Sequence, residues 1–273
     1  MPARPSLARL LLALLLLLPA APWQGSPRAE TWAIDVWEPP FQWQGEPRVV
    51  DYAPLARASR PWRLCASYPH LKDSYWLSVN YGMVEEARRL GIHLEVVEAG
   101  GYPNLERQRS QIEGCVAAGA EALVVGTVSY DGLTDLVLAL SQRMPVVATV
   151  NDIADAGIAA KSLVSWVEMG RSIGRYFARL HPAGTPAVKG AWVPGPAGAG
   201  RGGLLERGFA EGLRGSAAEI VVTKYGDTGT EIQLILIEEA LEERPDIDYI
   251  VGSAVTAEAA VSVLRARGLG GEI

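Results

Sequence analysis

Histidine and cysteine are scarce in this chain, and the few present are scattered. Three histidines and two cysteines occur in 273 residues, with no Cys-x-x-Cys and no grouped histidines, so the ligand spacing of a zinc site is missing. His70, His93 and His181 fall in a loop, a strand pattern and a helix end. Neither Gly-x-Ser-x-Gly nor His-Glu-x-x-His joins any of them, which leaves no convergent nucleophile, acid and base. The reading is a non-enzyme without a cofactor. Positive charge is also short: 25 Lys and Arg stand against 31 Asp and Glu, for a net charge of −6. The basic residues form no stripe, which argues against a nucleic-acid surface. After Ala21 no apolar run approaches the roughly 20 residues that span a bilayer, so no membrane insertion is expected once the leader is gone.

What is present begins with that leader. Arg4 and Arg9 frame a positive start, Leu10 to Leu18 are almost unbroken leucine, and small residues follow at Ala20, Ala21 and Ala29. This is the layout of a secretory signal peptide, assigned to residues 1–29, with a signal anchor as the alternative. No cysteine follows the apolar run closely, so a lipid anchor is not expected. In the oxidising compartment such a leader implies, Cys65 and Cys115 could pair. Each also fits a buried thiol acting as a small hydrophobe, one in a strand pattern and one in an amphipathic helix, and that is the favoured reading.

Residues 30–61 carry Trp32, Trp37, Phe41, Trp43 and five prolines with little periodicity. They read as an extended arm that buries its tryptophans, against a partner-binding strap. From Pro61 the pattern turns regular. Strand runs are read at 62–68, 92–99, 122–128, 145–150, 187–193, 218–223 and 248–252. Helical spacing is read at 74–90, 108–118, 133–143, 166–180, 204–213 and 256–267. Thr228 and Glu231 have the spacing of a capping box opening a further helix. Alternation of this kind implies parallel sheets covered on both faces. The irregular link at 152–165 is the natural boundary between a first α/β lobe at 62–164 and a second at 165–273. A closed barrel of alternating units is the competing architecture.

Ligands of such sheets sit beyond the carboxyl ends of the strands. After the first strand comes Tyr68-Pro-His-Leu-Lys-Asp-Ser-Tyr-Trp76, both polar and aromatic. Tyr75 and Trp76 there are candidate ligand walls. Aromatic faces attract alkylated ammonium heads, at about 0.5–2 kcal/mol per contact. Asp73 would add a negative charge or simply cap the helix. Trp166, at the first helix past the boundary, is the matching candidate from the second lobe. Tyr102 follows two glycines and reads more as part of a turn than as a cleft rim. The glycine-rich stretch 195–203 lacks the Gly-Lys-Ser/Thr ending of a phosphate loop and reads as a cleft loop, with Arg201 as a rim contact. Gly252-Ser253-Ala254 could offer backbone N–H groups to an oxygen.

Four stretches carry a resemblance: Trp62-Arg-Leu-Cys65, the run from Tyr68-Pro-His-Leu-Lys-Asp-Ser-Tyr-Trp-Leu-Ser-Val-Asn-Tyr-Gly to Met83, Glu98-Ala-Gly-Gly-Tyr-Pro-Asn104 and Tyr249-Ile-Val-Gly-Ser-Ala-Val255. They resemble the trimethylamine N-oxide-sensing branch of the type I periplasmic binding protein family. The resemblance implies two doubly wound lobes facing a cleft, with trimethylamine N-oxide as ligand. It implies a partner in the periplasmic sensor domain of a membrane histidine kinase that controls a reductase system. Asp73, Tyr75, Trp76 and Trp166 would then form the site, the three aromatics caging the methylated nitrogen. It also implies a C-terminal part beyond Ile273 that completes the second sheet. The fold equally serves importer components for sugars and similar solutes, which is the alternative function.

Overall fold

In the computed structural model, residues 31–38, 40–41, 45–199 and 202–273 are described. The expected leader, Trp43 and Arg201 lie outside them. The first sheet is built from β3 (Arg63–Tyr68), β4 (His93–Glu98), β5 (Ala122–Val125), β6 (Val146–Val150) and β7 (Ala160–Leu163), in the order β4-β3-β5-β6-β7 and parallel throughout. Helix α1 (Ser74–Leu90) covers one face, and α2 (Leu105–Ala117) with α3 (Thr134–Ser141) covers the other. The second sheet holds β8 (Val188–Gly195), β9 (Ala218–Tyr225) and β10 (Tyr249–Gly252), parallel in the order β10-β8-β9. Helices α4 (Trp166–Leu180) and α5 (Gly202–Leu213) pack on one of its faces, α6 (Thr230–Glu243) and α7 (Ala254–Arg267) on the other.

Alternation along β3 assigns its side chains to the two layers. Cys65 faces the core under α2 and α3, where Ile112, Leu123, Val137 and Val146 are buried, while Ala66 and Tyr68 face α1 and Trp76. Helix α1 starts and stops where its sequence says. Asp73 takes extended dihedrals and accepts from the amide of Trp76, and Gly91 closes the helix at φ 68°, the left-handed setting glycine adopts at little cost.

Several expectations need correction. Cys65 and Cys115 are not separate thiols but a disulfide, with Cα atoms 6.1 Å apart. Strand β3 and helix α2 turn both residues into the same buried layer. The link at 152–165 is not irregular throughout, because it contains β7. That strand is four residues long, lies at a sheet edge and has no apolar run to announce it. The side chain of Lys161, on β7, is buried against Asp152 and Asp155 at 2.6 Å each. The segment 30–61 is not simply extended. Within it β1 (Trp32–Val36) pairs antiparallel with β2 (Arg48–Tyr52), and Trp32 stacks on Tyr52 while staying 49% exposed.

The α4–α5 contact was not visible in the sequence reading. Gly170 and Gly174 of α4 lie directly against the backbone of α5, and Gly208 and Gly212 of α5 against that of α4. A Cβ on any of the four would collide with a carbonyl oxygen of the other helix. Glycine there is a packing requirement that lets two backbones touch, not a turn signal.

Candidate ligand-binding cleft

The carboxyl ends of β3, β5 and β6 meet those of β8 and β9, and the loops leaving them make the site. Tyr68 ends β3 fully buried, with its ring 5.4 Å from that of Trp76. Its hydroxyl has no hydrogen-bond partner, and burial pushes its pKa up to about 12, so the phenol stays protonated at any physiological pH. Trp76 is buried over Gly126 at the end of β5, where a side chain would collide with its indole. Tyr75 is 40% exposed and meets Trp76 edge to face, centroids 6.1 Å apart.

Trp166 opens α4 and donates its indole N–H to the carbonyl of Val150 at 3.1 Å. Val150 ends β6 with φ 65°, a conformation that is a real outlier for a β-branched residue. Such strain persists only where surrounding contacts hold it, and this carbonyl is held by the indole. Trp192 of β8 stacks flat on Phe209 at 4.2 Å. All of these rings except Tyr75 belong to one buried cluster that runs from the first lobe into the second through Val150 and Trp166.

Asp73 is placed as a cap, with Oδ1 accepting from the Trp76 amide at 2.9 Å. Its Oδ2 accepts from the Thr228 hydroxyl of the second lobe at 3.2 Å. The expected Thr228–Glu231 capping box is therefore absent: Gly229 is the N-cap of α6 and no side chain caps it. A neighbouring region 155 residues away in sequence has claimed the hydroxyl. Ser253 is likewise a cap, its hydroxyl accepting from the Thr256 amide while its own amide, one of those read as open to a ligand, donates to the Thr256 hydroxyl.

Tyr102 turns out to line the cleft as well as close a turn. Gly100 and Gly101 take φ 80° and 144°, which brings the tyrosine edge to face against His70 at 5.6 Å. Its hydroxyl accepts from the Asn151 side chain at 3.0 Å. Beside it, Pro103 and Val128 of the first lobe and Pro196, Tyr225 and Asp227 of the second bound a cavity of about 270 Å³. Tyr225 donates to Glu206 at 2.5 Å, and that bond, with some burial, pushes its pKa up to about 12. Of the four residues expected at the site, none borders this cavity. Trp76 and Trp166 instead share the aromatic cluster beside it, and Asp73 and Tyr75 flank Trp76. Sequence reasoning placed His70 in a loop and Thr228 in a capping box, and gave neither of them, nor Asp227, a place in the site.

Such an arrangement suits holding a small solute with a cationic or strongly dipolar head, since aromatic faces and carboxylates gather where two lobes meet.

Residues 61–272 match the family model for periplasmic binding proteins and the sugar-binding domain of the LacI family. The periplasmic protein TorT of Escherichia coli K12 is 44% identical over 207 residues, which is 75% of this chain and 59% of that protein. The chain thus spans well under two thirds of that relative's length. Among solved structures, a solute-binding protein of an ABC transporter from Bradyrhizobium sp. BTAi1, with bound bis-tris, is 49% identical. Its TM-score is 0.69, covering 89% of this chain and 74% of that one. The complex of the TorS sensor domain with TorT, in the presence of trimethylamine N-oxide, is similar at 40% identity and a TM-score of 0.67, covering 78% of this chain and 72% of that one.

Proposed function

The chain belongs to the periplasmic binding proteins and is itself periplasmic, and from that premise we propose that it captures trimethylamine N-oxide between its lobes and reports the bound state to the periplasmic sensor domain of a membrane histidine kinase controlling a reductase system. The observation that carries the reading is the aromatic cluster at the lobe junction, with Trp76 contributed by the first lobe and Trp166 by the second, and Tyr75 set edge to face on Trp76 beside it. The nitrogen of the ligand draws charge from its three methyl groups, which makes them partners for indole and phenol faces. Asp73 lends a negative charge on the same side. The two curated relatives named TorT and the TorS–TorT complexes support the partner.

Calorimetric titration of the purified protein with trimethylamine N-oxide, beside Trp76→Ala, tests this. Saturable heat is expected, with affinity lost at least tenfold in the variant, since one cation–π wall and its packing are removed together. A folded wild-type protein that gives no heat overturns the ligand. A pull-down with the kinase's periplasmic domain that recovers nothing, with or without ligand, overturns the partner.

A second reading has one observation in its favour. The Bradyrhizobium relative is a solute-binding protein of an ABC transporter and holds bis-tris, itself a tertiary amine bearing hydroxyls. In that reading the chain delivers a hydroxylated solute to an importer. A ligand screen in which polyols or sugars displace the N-oxide decides for it.

A further inference from the structure

The Thr228 hydroxyl is engaged across the cleft, and its hydrogen bonds can be assigned a direction. Its Oγ1 lies 2.9 Å from Nε2 of His70 and 3.2 Å from Oδ2 of Asp73. The backbone N–H of Lys72 donates to Nδ1 of His70 at 3.3 Å, which makes that nitrogen an acceptor and puts the proton of the neutral ring on Nε2. Nε2–H then donates to Thr228, whose single proton goes to Asp73. Both Asp73 oxygens are thereby committed, one to the amide that opens α1 and one to the second lobe.

We propose that Thr228 is a positioning residue of the cleft. Its hydroxyl ties closure of the two lobes to the setting of Asp73, and so to the first turn of α1 that carries Tyr75 and Trp76. The inference rests on the reading of that turn as ligand-facing. Its energetic basis is a difference between two states. With the lobes apart, His70, Asp73 and Thr228 are each within reach of water. With the lobes together, His70 is fully buried and Thr228 nearly so, and each group depends on the others. Removing the hydroxyl takes from Asp73 Oδ2 the donor that reaches it across the cleft, a loss felt in the closed state alone. The cost falls on closure rather than on the folding of either lobe. A second carboxylate, Asp227, stands 3.7 Å from His70 and 3.8 Å from Lys72, so the junction keeps its charge complement when Thr228 is changed.

The test compares wild type, Thr228→Val and Thr228→Ser by small-angle scattering without ligand and by titration with trimethylamine N-oxide. The valine is isosteric and the serine keeps the hydroxyl. Thr228→Val is expected to increase the radius of gyration and to weaken binding about tenfold, while Thr228→Ser matches wild type in both. A valine variant as compact as wild type overturns the proposal, as does a serine variant that behaves like the valine. Should Thr228→Val not fold, Thr228→Ala removes the same hydroxyl and is read against the same two outcomes. If wild type binds no N-oxide, the scattering comparison still decides the proposal, and only the ligand reading falls.

Discussion

The two lobes share a layering but are held together by different means. The first has five strands, a core of aliphatic side chains and a disulfide that ties its inner strand β3 to α2. The second has three strands among the described residues, and one side of its sheet rests on a helix pair whose backbones touch through four glycines. A covalent link limits the unfolded chain, whereas a glycine contact depends on the native fit of two surfaces. The first lobe should accordingly tolerate side-chain substitution better, and the second should be the more sensitive to any added volume.

The largest expected effect is on the first lobe. Replacing Cys65 and Cys115 together by alanine releases a loop closed over 50 residues and should cost about 4 kcal/mol by loop-closure entropy. Urea unfolding of the double variant, beside the reduced wild type, measures it. Unchanged stability would remove the covalent side of the contrast.

Next in size is Gly208→Ala, which places a methyl group against the Val167 carbonyl. A rigid backbone contact cannot yield as a flexible side chain does, so a loss of about 3 kcal/mol is expected. Gly203→Ala on the same helix, with open space around it, is the control and should cost nothing. Equal effects at the two positions would show that helix propensity, not the close approach, is being measured.

The smallest concerns the border between the lobes. Tyr68 titrates near 10 when unfolded and about 12 when folded, so the native state holds its proton more tightly. This contribution is fully present below pH 10 and is lost as pH rises toward 12, for a fall of roughly 2–3 kcal/mol across that window. Tyr68→Phe should flatten that stretch of the stability–pH curve. At neutral pH it should be neutral or mildly stabilising, because it deletes a buried hydroxyl without a partner. A steep loss at neutral pH would mean that the hydroxyl is bonded in solution.

Much of the fold was legible because its signals are local. Helix α1 runs from Ser74 to Leu90 and α4 from Trp166 to Leu180, as the 3.6-residue spacing and their caps indicate. The strands flanking them were found within a few residues, since a buried parallel strand announces itself as an apolar run. Strand β7 gave no such run, because an edge strand with only partly buried side chains needs none. Asp73, Tyr75, Trp76 and Trp166 were singled out as cleft residues by type and position, yet none of them borders the cavity. His70 and Thr228 were not singled out, for each looks ordinary until the other is beside it.

The sequence by itself determined the alternation of strands and helices, the division of labour between apolar and polar faces, and the placing of aromatics after β3 and at the head of α4. These follow from periodicity and capping, which act over a few residues. Only the tertiary structure decided that Cys65 meets Cys115, that α4 and α5 touch through glycine, and that Thr228 serves Asp73 rather than its own helix. A side-chain hydroxyl bonds to whatever polar group is nearest in space, and between residues 155 apart in sequence that distance is set by the packing of whole lobes.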